Sequence, residues 1–253
     1  MNIKWNAADY TENFQFVHKY GEDVLGLIDA PPGSLVVDLG CGNGALSEKI
    51  REKGYRVLGV DASADMMEKA KGMHPDIEFM PGDAKEFSLE EKADVIFSNA
   101  VFHWIDAAEQ EKLIKNVADQ LKPGGELVCE FGGKGCAETV HAALERNFNK
   151  RGIPYLRPFY FPTIGEYAPL LEQYGLRVEY AVLFERPTVQ KTENGLEDWI
   201  RMFIKKAFEA VPADMADEII RETVAELRDR LFEDGKWIVD YVRIRFRARK
   251  VKE

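Results

Sequence analysis

The apolar positions of the first 130 residues fall into short blocks separated by amphipathic stretches. Leu35-Val36-Val37-Asp38-Leu39 is a nearly continuous apolar run ending at Gly40, the pattern of a strand covered on both faces. From Asn43 to Lys53, Leu46 and Ile50 share one helical face, and Gly54 stops the pattern. Arg56 to Val60 reads as a second strand closed by Asp61. Ala64 to Lys71, between Ser63 as N-cap and Gly72, reads as a second helix. Ile77 to Met80 and Val95 to Ser98 are strands three and four. Asp106 and Glu109 have the N-cap and N3 spacing of a helix that carries Leu113, Ile114, Val117 and Leu121 and halts before Pro123. Glu126 to Phe131 is the fifth strand. The alternation predicts a parallel sheet with helices on both faces.

The pattern then changes. Ala137 to Lys150 is helical, and Thr163 with Glu166 forms a capping box ahead of Tyr167, Leu170, Leu171 and Tyr174. Arg177 to Arg186 is a strand stopped by Pro187. Asn194 to Phe232 is helical twice, broken near Val211-Pro212, with Trp199, Ile200, Phe203, Ile204 and Phe208 as a stripe of helix core. From Ile238 to Arg249 the period is two, which predicts one long strand. Its row Arg243, Arg245, Arg247 and Arg249 reads as a solvated face or a charge-guarded edge. Residues 1–187 and 237–253 are thus expected to form the sheet. Residues 188–236 would be a helical cap inserted between the last two strands, over the edge where open α/β sheets bind ligands.

Composition narrows the classes. With 45% hydrophobic and 31% charged residues, the 253-residue chain is neither collagen-like nor disordered. No apolar run reaches the roughly 18–20 residues of a membrane span, and Met1 to Asn6 lack the apolar stretch of a signal peptide. Three cysteines make no disulfide framework, so a cytoplasmic location is expected. The net charge of −10 sits in one half: residues 1–130 hold 13 Lys and Arg against 24 Asp and Glu, the remainder 21 against 20. With no basic footprint, nucleic acid and membrane are excluded as expected partners. A small molecule acted on by a monomer or homodimer is expected instead.

The sharpest local feature is Asp38-Leu39-Gly40-Cys41-Gly42-Asn43-Gly44, a strand running into a glycine turn and a helix. The dinucleotide fingerprint is G-x-G-x-x-G; here the third glycine comes one residue early. Asp38 is unwelcome to a pyrophosphate and suits a ligand with positive charge. This spacing resembles the S-adenosylmethionine loop of class I methyltransferases. Asp61 ends the second strand where that family's acidic residue grips the ribose hydroxyls. Gly82-Asp83-Ala84 follows the third strand where an Asp often meets the adenine amino group, and Ser98-Asn99-Ala100 ends the fourth at the substrate-facing position. Leu121-Lys122-Pro123-Gly124-Gly125 is a further family habit. The resemblance implies a Rossmann-like fold, a mostly parallel seven-stranded sheet with an antiparallel last strand. It also implies S-adenosyl-L-methionine as cofactor, S-adenosyl-L-homocysteine as product, and a cofactor set of Asp38, Gly40, Cys41, Gly42, Gly44, Asp61, Ala62, Met66, Asp83, Ala84, Asn99 and Tyr10. A narrower resemblance, to the trans-aconitate methyltransferase group, rests on Ser98 to Trp104, on Trp5 to Tyr10, and on Asp240 to Phe246.

Methyl transfer asks the protein mainly to align two partners and exclude water. A carboxylate is ionised at pH 7 and needs no base. Asn99-Ala100-Val101-Phe102 lacks the prolines of the amino-group enzymes. O-methylation of a small, trans-aconitate-like carboxylic acid is the resulting expectation. The alternatives are a quinone, phenol, carbon or lipid-like acceptor, or a cofactor-binding module without chemistry. An anionic acceptor calls for cations from the second half, so His103, Trp104, Lys134, Arg157, Arg201 and Tyr241 are the substrate-binding candidates. His103 either orients or deprotonates the substrate, or simply walls the pocket. Lys134 lies in the Gly132-to-Gly135 loop. Arg151, Arg157, Tyr155 and Tyr160 lie in a stretch that reads equally as ordered surface loop. Cys41 reads as a small residue beside the ligand. Cys136 and His141 lack partners at metal-ligand spacing, so no metal is expected.

Overall fold

In the computed structural model, residues 23–192 and 194–252 are described; Tyr10 and the rest of the Trp5-to-Tyr10 motif lie outside them. Five strands alternate with helices: β1 (Leu35–Leu39), α1 (Ala45–Glu52), β2 (Arg56–Asp61), α2 (Ala64–Met73), β3 (Glu78–Pro81), β4 (Ala93–Asn99), α3 (Gln110–Gln120) and β5 (Leu121–Gly132). Then come α4 (Glu138–Asn149), α5 (Ile164–Gln173), β6 (Leu176–Glu185), β7 (Thr188–Val189), α6 (Gly195–Phe203), α7 (Ala213–Leu231), β8 (Phe232–Glu233), β9 (Lys236–Val239) and β10 (Val242–Lys250). Seven strands form one sheet in the order β3-β2-β1-β4-β5-β10-β6. β10 is antiparallel to both its neighbours, and the pairs β1–β2, β2–β3, β1–β4 and β4–β5 are parallel. The expected sheet is therefore present, antiparallel strand included.

Central position explains the composition of the strands. All five residues of β1 are buried, because helices cover the sheet on both sides. Local signals act where expected in two helices: Ser63 accepts from the Met66 N–H, and the Thr163–Glu166 capping box is complete. At Asp106 the expectation fails. Its side chain makes no cap, residues 107–109 form a 3-10 turn, and α3 starts at Gln110. The Glu109 carboxylate that should complete the box accepts instead from Lys85 Nζ at 2.9 Å.

The long terminal strand is two strands. β9 belongs to a small sheet in the order β7-β9-β8, while β10 enters the main sheet. The break falls at Asp240-Tyr241 because that pair is bonded sideways. Asp240 O accepts from the Ala137 N–H at 2.8 Å and its carboxylate from the Thr139 N–H at 3.0 Å, while Tyr241 O accepts from the Arg186 N–H at 2.7 Å. Period-two patterning hides the break, because apolar residues stand at both parities around it; β9 buries Trp237 and Val239, whereas β10 buries Ile244, Phe246 and Ala248. The elements between β6 and β10 share an apolar core with α4: Val140 and Leu144 of α4 cluster with Trp199 and Ile200 of α6, Ile219 and Leu227 of α7, and Trp237. Among the described residues, no helix is long and apolar enough to cross a membrane.

Candidate active site

The glycine loop leaves β1 with Gly40, Gly42 and Gly44 all at positive φ. Gly40 cannot carry a side chain, since a Cβ there would stand 2.2 Å from Val101 Cγ2. That contact joins the loop to the segment after β4. Gly42 faces open space, with nothing within 4 Å of its missing Cβ, so its backbone is open to a ligand. Asp61, at the end of β2, holds the loop in place: its two carboxylate oxygens accept from the Gly42 N–H at 2.9 Å and the Ser63 N–H at 2.8 Å. Burial raises its pKa against the lowering effect of those backbone donors. Asp38 is 2% exposed, and burial pushes its carboxyl up to about 7 despite a 2.6 Å hydrogen bond from Ser47. Two carboxylates whose charge is penalised by burial, facing a glycine backbone, suit a cationic nucleoside.

The remaining cofactor candidates ring the same edge. Ala62 is exposed just after Asp61, and Met66 is buried on α2. Asp83 follows β3 and accepts from the Lys85 N–H, with Ala84 beside it; Asn99 ends β4, half-buried. Cys41 is buried, and burial, together with Asp38 and Asp61, keeps its thiol protonated. A Cβ on Gly59 would stand 2.9 Å from its sulfur. Cys41 is therefore a small packing residue and not a nucleophile. His74 is half-buried beside Gly44.

Beyond Asn99 the chain turns sharply. Ala100 takes a left-handed conformation at φ 61°, its N–H bonded to Glu130 O at 2.7 Å; a non-glycine residue there stores strain. The turn Phe102–Trp104 follows, held by a buried network. Gln110 Nε2 donates to Phe102 O and Ile105 O, and Tyr167 donates its hydroxyl proton to Gln110 Oε1. The turn aims His103 and Trp104 into a pocket, which Ala100 also lines. Phe159 and Phe161 wall it from the segment before α5, Trp199 and Phe203 from α6, and Tyr241 and Arg243 from the last crossover. Trp104 meets Phe159 edge-on at 4.7 Å, and Phe159 stacks on Phe161 at 5.2 Å.

Three of the six substrate candidates line this cavity: His103, Trp104 and Tyr241. The other three do not. The Arg157 fork is already closed on Glu138 by bonds of 2.6 and 2.7 Å. Arg201 lies on the outer face of α6, held by Glu197 at 2.9 Å and Asp217 at 2.8 Å. Lys134 is exposed and lines a different depression with Phe184, Glu185 and Asp240. Arg151 is held by Glu218 and Glu222, and Tyr155 by His141 at 2.7 Å, so their segment is ordered structure.

The cavity's cation is one that the sequence reading assigned to solvent. Arg243 is 6% exposed. β10 is an interior strand, so its arginine row is enclosed, and the register decides what each member meets. Arg245 lies opposite Glu130 and bonds it at 2.6 Å; Arg249 lies opposite Glu126 and also reaches Glu179 and Asp29; Arg247 comes within 3.6 Å of Glu179. Arg243 lies opposite Gly132. It has no ion pair with a described carboxylate, its buried Nε has no hydrogen-bond partner, and its guanidinium stands 4.9 Å from the Tyr241 ring. The signal was present in Gly132, the one glycine opposite an arginine, but only the pairing register exposes it. Gly132 also gives room to Phe161, whose Cε1 a Cβ there would meet at 2.4 Å.

Comparison with known proteins identifies the family and the fold. Residues 36–125 match a family model described as a methyltransferase domain. The chain is 34% identical to an uncharacterized methyltransferase of Schizosaccharomyces pombe over 97% of its own length and 98% of the relative's. It is 26% identical to a trans-aconitate 2-methyltransferase of Agrobacterium fabrum, over 79% of each chain. Among solved structures, it superposes with TM-score 0.57 and 18% identity on a magnesium protoporphyrin IX methyltransferase of Synechocystis carrying bound S-adenosylhomocysteine, covering 99% of this chain and 89% of that one.

Proposed function

Starting from a chain that belongs to the class I S-adenosylmethionine-dependent methyltransferases, we propose that its acceptor is a small carboxylic acid, methylated on oxygen. The observation that carries this reading is Arg243, a buried guanidinium with no carboxylate partner among the described residues, in a cavity that begins at the residue after Asn99. A buried charge without a partner is costly, and an incoming carboxylate supplies the partner in bidentate form. Relatives named for a carboxylic acid support the same class.

S-adenosylmethionine, when bound, supplies an electrophilic methyl: the acceptor oxygen forms the O–CH3 bond as the S–CH3 bond breaks with its electron pair staying on sulfur, leaving a methyl ester and S-adenosylhomocysteine. The protein's own part is alignment. Gly40, Gly42 and Gly44 present backbone to the cofactor, with Asp38, Asp61 and Asp83 as the acidic groups around it. Asn99 and Ala100 mark the boundary, and Arg243 fixes the acceptor's charged end. The aromatic walls exclude water, which strengthens the Arg243 contact. Three free, buried cysteines support a reducing, cytoplasmic setting.

The test is transfer of labelled methyl from S-adenosylmethionine to a panel of carboxylic acids, phenols and amines. Label in acids, released as methanol by mild alkali, is the expected result. Arg243→Met should abolish most of it while leaving S-adenosylhomocysteine binding intact. Alkali-stable label in phenols or amines alone overturns the reading.

A further inference from the structure

We propose, on the footing of that carboxylate reading, that the acceptor carries a single carboxylate on a flat, unsaturated or aromatic body, and that His103 offers it a fixed neutral N–H beside Arg243. The tautomer of His103 follows from its surroundings. The Gly132 N–H donates to His103 Nδ1 at 3.2 Å, so the Nδ1 lone pair is used and the ring proton of the neutral imidazole sits on Nε2. Burial, and then Arg243, hold the ring well below its ordinary pKa, so the imidazolium does not form. The nitrogen left for a ligand is a donor and cannot take a proton.

The other titratable groups around it offer no base. Cys136, from the loop between β5 and α4, is kept protonated by burial. Tyr241 accepts from Trp199 Nε1 at 2.5 Å. His141 of α4, behind Phe159 and Phe161, is pushed down to about 3 by burial. An acceptor that must lose a proton first finds no carboxylate among the described residues lining the cavity, Asp240 lying in the neighbouring depression with Lys134; one that arrives ionised needs nothing.

The number of charges follows from the walls. Arg243 is the one cationic side chain lining the cavity among the described residues, and Lys134, Arg157 and Arg201 lie elsewhere. With Arg243 and the His103 N–H engaged by the first, a second carboxylate would lie among the rings of Trp104, Phe159, Phe161 and Trp199, whose π-faces are negative. A planar apolar body would pack against the same faces.

The experiment uses the full chain. Binding of cinnamate, benzoate and trans-aconitate is measured by calorimetry with S-adenosylhomocysteine present, and turnover of each with labelled S-adenosylmethionine from pH 6 to 9. The expected result is a kcat/KM at least about 100-fold higher for an aryl or alkenyl monocarboxylate than for trans-aconitate, with matching order in binding and a flat pH profile. His103→Gln, which keeps a donor, should retain turnover within about 10-fold, whereas His103→Leu should raise KM more than it lowers kcat. Preference for trans-aconitate over the monocarboxylates overturns the single-charge inference and leaves the carboxylate reading standing. A rate at saturating S-adenosylmethionine that climbs through pH 6–8 in wild type and in Asp38→Asn but not in His103→Gln overturns the donor role. Label confined to phenols or amines overturns both the inference and the reading beneath it.

Discussion

On either side of Asn99 the sheet edge handles charge in opposite ways. Towards β1 and β2 it gathers acids, Asp38 and Asp61, whose negative charge is disfavoured by burial and relieved only by backbone N–H groups and Ser47. Towards β10 it encloses a cation, Arg243, among aromatic rings. Each side stores an electrostatic imbalance that a ligand of opposite sign would relieve. The comparison teaches that a site can be recognised by what the fold leaves unpaired. The other arginines of β10 differ from Arg243 in having a carboxylate within reach and not in chemistry.

The largest test of this contrast is to discharge the cationic side. Arg243→Met should lower acceptor kcat/KM by about 100- to 1,000-fold, near 3–4 kcal/mol of transition-state binding. The same variant should melt at a higher temperature, because it removes an unpartnered buried charge worth about 1–3 kcal/mol of cost. A Tm that falls together with activity would mean that Arg243 is structural. Next, Gly40→Ala strains a positive φ and drives Cβ into Val101. We expect a loss of about 2–4 kcal/mol in denaturant unfolding and of S-adenosylhomocysteine binding.

A third test discharges the acidic side. Asp38 has a folded pKa raised to about 7 from 3.8, so between those values the folded state holds more protons than the unfolded state and stability falls as pH rises. His103 and His141 act in the opposite direction, their folded pKa values being depressed. The diagnostic quantity is therefore a difference. From pH 5 to 7, wild type should lose about 2 kcal/mol relative to Asp38→Asn. Parallel stability curves for the two proteins would show that Asp38 is already charged in the empty site. The smallest effect belongs to Arg201→Ala. It should change stability by less than about 0.5 kcal/mol and leave acceptor KM unaltered, since its charge faces Glu197 and Asp217.

The two sides were not equally legible in the sequence. The acidic side is local: Asp38, the three glycines and Asp61 lie on one strand–turn–helix–strand run, where spacing in sequence is spacing in the fold. The alternation of strands and helices and the helical elements between β6 and β10 followed from periodicity, and the antiparallel strand from the family resemblance. The cationic side is assembled from residues 100–104, 159–161, 199–203 and 241–243, and only pairing register brings them together. Period two showed that four arginines share a face. It could not show that β5 sets Glu130 against one and Gly132 against another. The pairing of Arg201 is legible, because Glu197 stands four residues earlier on the same helix. That of Arg157 is not, since Glu138 reaches it through tertiary contact alone.

The crossover at Asp240-Tyr241 divides the labour around the cavity. Arg243 belongs to the sheet, whose register is pinned on both flanks, whereas Trp199 and Phe203 belong to a helix inserted between β6 and β10. On the carboxylate reading proposed above, head and body of an acceptor would be read by parts of the chain that can vary separately. Substitutions along α6 would then reshape the body that fits without touching the group that holds the charge. On that reading, a lineage carrying this fold could change its substrate repertoire through the insertion while every member still required an acid.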